Sequence, residues 1–543
     1  MFEKLSVVTI NFRNKIAYIQ ENVARIHLGI FTSGNIDSDL RDFSVIIAMT
    51  LIFNVFYLSN FSISIDDEVH AIVPSYRHWL SIGRYTAAIL DRFLFPQPVI
   101  PYTPYLFFSL CSALSYFFVI KAHNITKNYH KYFTLPVFVT YPLWQLITGF
   151  DSTLPAISVG LVSVTLAGLL FERTRYMSVE KTFVPLLISM ALQTVFIAIA
   201  IGAYQSFLLM YLTISFGIML VKTIADEKET LQIFFQSVVQ ISVVSVLSLF
   251  LYHFTGTFAR WVANIPLSSY LNTLYISSTS IRQLIFSFFS YAYSYYSGDA
   301  SKFGVNFPAN EALMLLSALF ITQHLWRKNV YKKILGILLW LMVVLSPFLF
   351  VLFSIAMPSR SLFPLAYVAW LMAVILLKTK HKFLLGVNSV IISLMILQSL
   401  NINGLYTARS LIAQRYDSLL AADIYNRLGS EDPNFDRTQP VFIDVYGTVS
   451  IASVYPNPSS GTLGVSFFEW DGGNLSRIVY YMRLMGYSNI ERLPDEQRLA
   501  LTPEFEKMPV WPATGCVKKV GSNIYLIKLS NLPDVLRRKT IAP

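Results

Sequence analysis

TFVPLLISMALQTVFIAIAIGAYQSFLLMYLTISFGIMLV, residues 182–221, carries no aspartate, glutamate, lysine or arginine. One crossing of a hydrocarbon core takes roughly 20 apolar residues. The stretch is too long for one crossing, and Gly202 marks the expected break between two. Outward from it, apolar runs recur along most of the chain. Before it lie 43–61, 104–120, 133–147 and 153–170; after it lie 231–254, 309–325, 334–356, 361–377 and 383–400. With the two halves of the opening stretch, about eleven helices are expected to span a bilayer. The run 133–147 is short and reads as tilted or partly re-entrant.

The 543 residues are 54% hydrophobic and only 13% charged, with a mean hydropathy of +0.53. Soluble domains carry about 25% charged residues, so most of this chain belongs in lipid. A net charge of +11 and a pI near 9.3 would fit a nucleic-acid binder. The placement of the charge excludes that class. Basic residues collect in one set of loops: Lys121, Lys127 and Lys131; Arg173, Arg175 and Lys181; Lys222 and Lys228. The set continues with Arg327, Lys328, Lys332 and Lys333, then Lys378, Lys380 and Lys382. The short loops between them carry almost none, Arg360 excepted. The positive-inside rule puts the first set in the cytoplasm, the N-terminus with it, and everything after Leu400 on the far side. Cys111 and Cys516 are too far apart in sequence to imply a disulfide framework, and no metal-ligand spacing is present. No cleavable signal peptide is expected, because polar and mixed residues precede the first long apolar run.

Three domains are expected. Segment 1–42 places Ile16, Ile19, Val23, Ile26 and Ile30 on one helical face, which packs on the protein or lies on the cytoplasmic leaflet. Segment 43–400 is the membrane domain, with long outer loops at 62–103 and 255–308. In the first loop Ile82, Tyr85, Ile89 and Phe93 have the spacing of an amphipathic surface helix; the second is rich in tyrosine, with Tyr291, Tyr293, Tyr295 and Tyr296. Segment 401–543 mixes charge with short β-prone runs, such as 441–445 and 524–527, separated by turns at Asn457-Pro458 and Asp471-Gly472-Gly473. It is long enough for one soluble α/β or α+β domain.

Chemistry can sit at few places. Asp66, Asp67 and Glu68 directly follow the first apolar run on the outer side. Read alone, they are more simply a solvated helix cap than a catalytic group. Asp151, in a very short outer loop, has the same two readings. Arg360, in Met357-Pro358-Ser359-Arg360-Ser361, sits where two helices turn at the membrane surface. A guanidinium there can grip a lipid phosphate in bidentate fashion, or snorkel to a generic headgroup. Glu469, Trp470 and Asp471 combine an aromatic platform with polar groups suited to a sugar, or form an ordinary turn.

These features occur in a particular order: outer-face aspartates, an amphipathic outer loop, Gly202-Ala203-Tyr204-Gln205-Ser206, and Met357 to Ser361. The tail adds Ser466-Phe467-Phe468-Glu469-Trp470-Asp471-Gly472-Gly473-Asn474 and Met508-Pro509-Val510-Trp511-Pro512-Ala513-Thr514-Gly515. In that order they resemble the serotype-converting O-antigen glucosyltransferases of bacteria and their phages. The resemblance implies an α-helical polytopic membrane enzyme of the GT-C type in the bacterial inner membrane, with a periplasmic C-terminal domain. It implies glucose transfer from undecaprenyl-phosphate glucose to a sugar of the lipid-linked lipopolysaccharide O-antigen, with inversion and without a cofactor or metal. It also assigns roles. Asp67, with Asp66 as second choice, becomes the general base, and Arg360 holds the donor phosphate. Asp151, Tyr204, Gln205, Glu469, Trp470 and Asp471 contact substrate. A lipid-linked sugar flippase and an O-antigen polymerase are the alternatives; the first would need polar, broken helices at the midplane.

Overall fold

The computed structural model describes residues 36–96, 102–175, 183–225, 230–268, 281–326, 328–353, 357–456 and 462–541. The expected face Ile16 to Ile30 lies outside the described residues, as do Lys181, Lys228 and Arg327 of the basic loops and the Asn457-Pro458 turn. Among the described residues, eight helices are long and apolar enough to cross a membrane. They are Tyr102–Ala122, Leu154–Thr174, Val184–Ala203, Phe207–Ala225, Leu231–Ala263, Val330–Leu352, Ser359–Leu377 and Lys382–Ser430.

Three of the eleven expected spans fall short, each for a local reason. Helix Ile36–Phe53 starts among Asp37, Asp39, Arg41 and Asp42 and ends before Asn54, where a separate short helix, Val55–Ser59, follows. The run 133–147 is split into Asn128–Val139 and Pro142–Thr148. Proline has no N–H to continue a helical ladder, and Pro142 opens the second piece. Helix Pro308–Trp326 has spanning length, but Asn310, Glu311, Gln323 and His324 dilute its apolar character. The opening stretch does form two helices. Their break is at Tyr204-Gln205-Ser206 rather than at Gly202, which lies inside the first helix with the Tyr85 ring packed where a Cβ would be.

The membrane helices share a defined polarity. Leu154–Thr174 and Phe207–Ala225 begin beside Thr153 and Ser206 and end beside Arg173 and Lys222. Ser359–Leu377 runs from Arg360 toward Lys378. The basic loops and the Tyr204 turn therefore lie at opposite ends of the same helices. At the basic end, Lys121 pairs with Asp39, Lys131 with Asp42 and Lys222 with Glu172, at 2.5, 2.5 and 3.3 Å.

The expected surface helix is found as Tyr85–Phe93, but it does not bury a single face: Tyr85 is buried while Ile89 and Phe93 are exposed. The tyrosines expected in a second outer loop lie on helix Ile281–Tyr296. Tyr291, Tyr295 and Tyr296 donate to or share protons with Met357 O, Ser359 Oγ and Val344 O, at 2.8, 2.6 and 2.6 Å. Tyr291 and Tyr295 thus brace the 357–361 turn, and Tyr296 ties the same helix to Val330–Leu352.

Helix Lys382–Ser430 continues for 49 residues, and the expected change of character at Asn401 falls inside it. Its last turns carry Leu420, Ala421, Ile424 and Leu428 into a second hydrophobic core. That core covers a four-stranded sheet of β1 (Val441–Tyr446), β2 (Ile490–Arg492), β3 (Val517–Lys519) and β4 (Ile524–Lys528). The order is β2-β1-β4-β3, with β1 parallel to both neighbours and β3 antiparallel to β4. Ile65, just before helix Asp67–Ile72, is buried in this same core, so the acidic turn is built on the C-terminal unit as well as on the membrane helices.

Candidate active site

The chain leaves Ile65 through Asp66 at φ 87, in the left-handed region. A residue with a Cβ held there costs on the order of 1–3 kcal/mol and persists where its surroundings over-determine it. They do so here. Asp67 Oδ2 accepts from the Ser64 N–H at 2.9 Å, and its Oδ1 accepts from the Ser152 N–H at 3.1 Å. Helix Leu475–Leu484 packs against Asp67–Ile72 and supplies Arg477. That guanidinium donates to Asp66 Oδ1 at 2.7 Å, Glu68 Oε1 at 2.6 Å and Asp471 Oδ2 at 2.6 Å. Asp471 is itself left-handed at φ 52, followed by Gly472 and Gly473 at φ 68 and 79. A side chain at Gly473 would collide with the Gly447 carbonyl, so this turn needs glycine.

These turns enclose a cavity of about 510 Å³. Asp66, Arg84, His70, His78 and Trp79 line it from segment 66–84; Phe150, Ser152 and Thr153 come from the 150–153 turn. Tyr204 and Arg360 come from the ends of the membrane helices, and Trp470, Asp471 and Arg477 from the C-terminal unit. Arg84 lies 4.4 Å over the Tyr204 ring, and Arg360 lies 5.1 Å over Phe150. The Tyr204 hydroxyl shares a hydrogen bond with Ser361 Oγ at 3.1 Å. Burial raises its pKa, but Arg360 and Arg84 outweigh that and hold it below the usual phenol value.

Of the expected site residues, Asp66, Arg360, Tyr204, Trp470 and Asp471 face this one cavity. The other four do not line it. Asp67 is only 4% exposed, and burial pushes its pKa up to about 7 against the pull of the backbone N–H groups it accepts from. Asp151 is buried beside it with no hydrogen-bond partner for either carboxyl oxygen among the described residues. Burial, then the charge of Asp67, holds Asp151 well above the carboxylate range. Gln205 donates to Ile82 O and the Tyr252 hydroxyl, at 3.3 and 3.4 Å. Glu469 accepts from Ser450 Oγ at 2.7 Å. The 508–515 motif is also remote: Trp511 lies 4.3 Å under Arg427, and Met508 packs with Phe505 and Leu526.

Sequence reasoning missed Arg84, Arg477, His70, His78 and Trp79. His70 stacks on Trp79 at 4.8 Å and hydrogen-bonds Ser75, and burial lowers it to about 4. Burial and then Arg84 lower His78. Both imidazoles are therefore neutral at pH 7, and the positive charge of the cavity comes from guanidinium groups. The one signal for Arg84 was its place beside Gly83 between two short helices; Arg477 reads in sequence as an ordinary helix-surface arginine.

The fold and the cavity define a helical membrane protein whose polar site lies at the ends of its helices opposite the basic loops. Within that class the chain belongs to the glucosyl transferase GtrII family, whose family model matches residues 55–377. The resemblance read from the motifs is thereby confirmed at the level of the family, and the protein is a glycosyltransferase. The match covers the cavity residues from Asp66 to Arg360; Trp470, Asp471 and Arg477 lie beyond it. No curated protein and no solved structure matches the chain.

Proposed function

We propose that the protein transfers glucose from undecaprenyl-phosphate glucose to a sugar hydroxyl of the lipopolysaccharide O-antigen, on the periplasmic face of a bacterial inner membrane. The observation that carries this reading is the convergence of a carboxylate, Asp66, and a guanidinium, Arg360, on one cavity opposite the basic loops. Basic loops mark the cytoplasmic side, which gives the cavity its periplasmic address.

Asp66 takes the role of base in preference to Asp67, because it reaches the cavity while Asp67 is committed to Ser64 and Ser152. The acceptor oxygen attacks the anomeric carbon as its proton passes to the Asp66 carboxylate. The bond from that carbon to the phosphate oxygen breaks, and its electron pair leaves on the phosphate. One displacement inverts the anomeric centre, and one carboxylate suffices because the leaving phosphate needs no proton. Arg360 stabilises the charge arriving on that phosphate. Trp470 offers a ring face for the acceptor sugar, and Arg477 fixes the carboxylate that receives the proton. Asp67 buckles the 64–68 turn to the 151–153 turn and so positions Asp66.

The test is the lipopolysaccharide of a host with the gene, without it, and with Asp66→Asn. Glucose is expected on the O-antigen in the first case alone, with the variant present in the membrane at wild-type abundance. Full glucosylation by Asp66→Asn refutes the base assignment; unchanged glycans in the wild-type strain refute the substrate.

A further inference from the structure

Two guanidinium groups, from distant parts of the chain, meet at one tyrosine. Arg84 lies over the face of Tyr204 at 4.4 Å. Arg360 lines the same cavity as this tyrosine, its positive charge lowers the phenol's pKa, and its guanidinium is braced by Phe150 at 5.1 Å. Ser361 holds the Tyr204 hydroxyl, and Trp79 flanks Arg84 at 5.7 Å. The two carboxylates that line the cavity, Asp66 and Asp471, are both bound by Arg477. The acids and bases of the cavity are thus sorted: one arginine serves the carboxylates, and two others converge on Tyr204.

We propose that Arg84 and Arg360 form a site for a phosphate monoester dianion, and that it reads the leaving lipid phosphate rather than the incoming donor. This rests on the glucosyl transfer proposed above. A sugar phosphodiester carries one negative charge. Once its bond to the sugar breaks, the phosphate is a monoester with a second pKa near 6 and carries about two charges above neutrality. One guanidinium serves the diester; a second contributes most when the second charge arrives, which places its contribution in the transition state and product. Arg84 is therefore a catalytic residue that sequence reading did not find. The same arrangement makes the released polyprenyl phosphate a product that binds more tightly than the substrate.

The test is binding to the purified full chain in detergent at pH 8, with farnesyl phosphate, its methyl diester and inorganic phosphate as probes. A charge-assisted hydrogen bond is worth about 1.5–3 kcal/mol, and each 1.4 kcal/mol is tenfold. The wild type is expected to bind the monoester at least about tenfold more tightly than the diester. Arg84→Gln is expected to bring the two affinities close together while keeping that for the diester. Arg84→Lys, which retains the charge, must keep a preference for the monoester even if the glutamine variant does not fold. Equal affinities in the wild type, an intact preference in Arg84→Gln, or no preference in Arg84→Lys overturns the site. Inorganic phosphate binding as tightly as farnesyl phosphate upholds a dianion site and overturns its assignment to the lipid. Binding is read without turnover, so failure of glucose transfer leaves this test standing, and equal ester affinities remove the dianion site without touching the glucosyl reading.

Discussion

Among the described residues, two clusters set arginines against several carboxylates, and they are built on opposite principles. In the C-terminal unit, Arg498 and Arg537 bind Asp444 and Asp534, with donor distances of 2.7, 3.2, 2.6 and 2.5 Å. All four residues are buried and each is matched within the cluster. It staples β1 to the C-terminal helix Val535–Ile541. The Arg477 cluster also has short contacts, but Asp66 and Asp471 keep 40% and 42% of their side chains exposed. Behind it, Glu68 Oε2 and both oxygens of Asp151 are buried without a hydrogen-bond partner among the described residues. Unmatched buried carboxyls are costly and rare. A cluster closed on itself is built for stability; one that stays open to a cavity and tolerates unmatched acid has the arrangement that the proposed transfer requires.

The largest effect is expected where the closed cluster is opened. Asp444→Ala leaves Arg498 and Arg537 buried without one of their acids and is expected to destabilise the C-terminal unit by about 3–5 kcal/mol. Thermal unfolding and membrane abundance are the readouts, and transfer per folded molecule should stay near wild type. Unchanged stability would erase the distinction between the clusters. Arg477→Gln is the converse: abundance close to wild type, with glucose transfer lowered roughly 10–100-fold through the misplaced Asp66. Arg477→Lys should recover part of that activity. If Arg477→Gln loses abundance as fast as activity, the open cluster is a staple too.

The smallest effect sharpens the comparison through pH. Burial pushes Asp67 up to about 7, and Glu68 also to about 7 despite Arg477. Unfolded, the two titrate near 4. Between those values the folded chain binds more protons than the unfolded chain, so stability falls as pH rises from about 4 to about 7. Each proton contributes at most about 1.4 kcal/mol per pH unit. Asp67→Asn should remove its share, giving a shallower fall of Tm with pH than in the wild type. Identical slopes would show that Asp67 does not titrate in this window.

Much of the membrane architecture was legible because hydropathy and loop charge are local signals. The runs that misled were those where the helix breaks inside the run, as at Asn54 and Pro142, or where polar residues dilute it, as at Asn310 and Glu311. The candidate site was legible in part for the same reason. Asp66, Arg360, Tyr204, Trp470 and Asp471 each stand beside a turn or a helix end, where sequence flags them. Arg477 bonds to Asp66 across 411 positions, and nothing around it in sequence marks that encounter. The choice between Asp66 and Asp67 was likewise beyond sequence. Adjacent residues in a turn point in different directions, and the left-handed φ of Asp66 is what sends one carboxylate to the cavity and the other to the Ser64 and Ser152 amides.

The helix Lys382–Ser430 is an unbroken rod of 49 residues, roughly 70 Å long at 1.5 Å per residue. A hydrocarbon core is about 30 Å thick, so the rod reaches well past it. A rod transmits angle as well as height. Each residue inserted or removed swings everything beyond it by about 100°. The C-terminal unit is therefore clocked against the membrane helices, and Arg477 arrives over Asp66 and Glu68 at one setting of that clock. The spacing between span and sheet is a phase: seven extra residues, close to two full turns, would nearly restore the bearing, whereas two would point Arg477 away from the acids it holds.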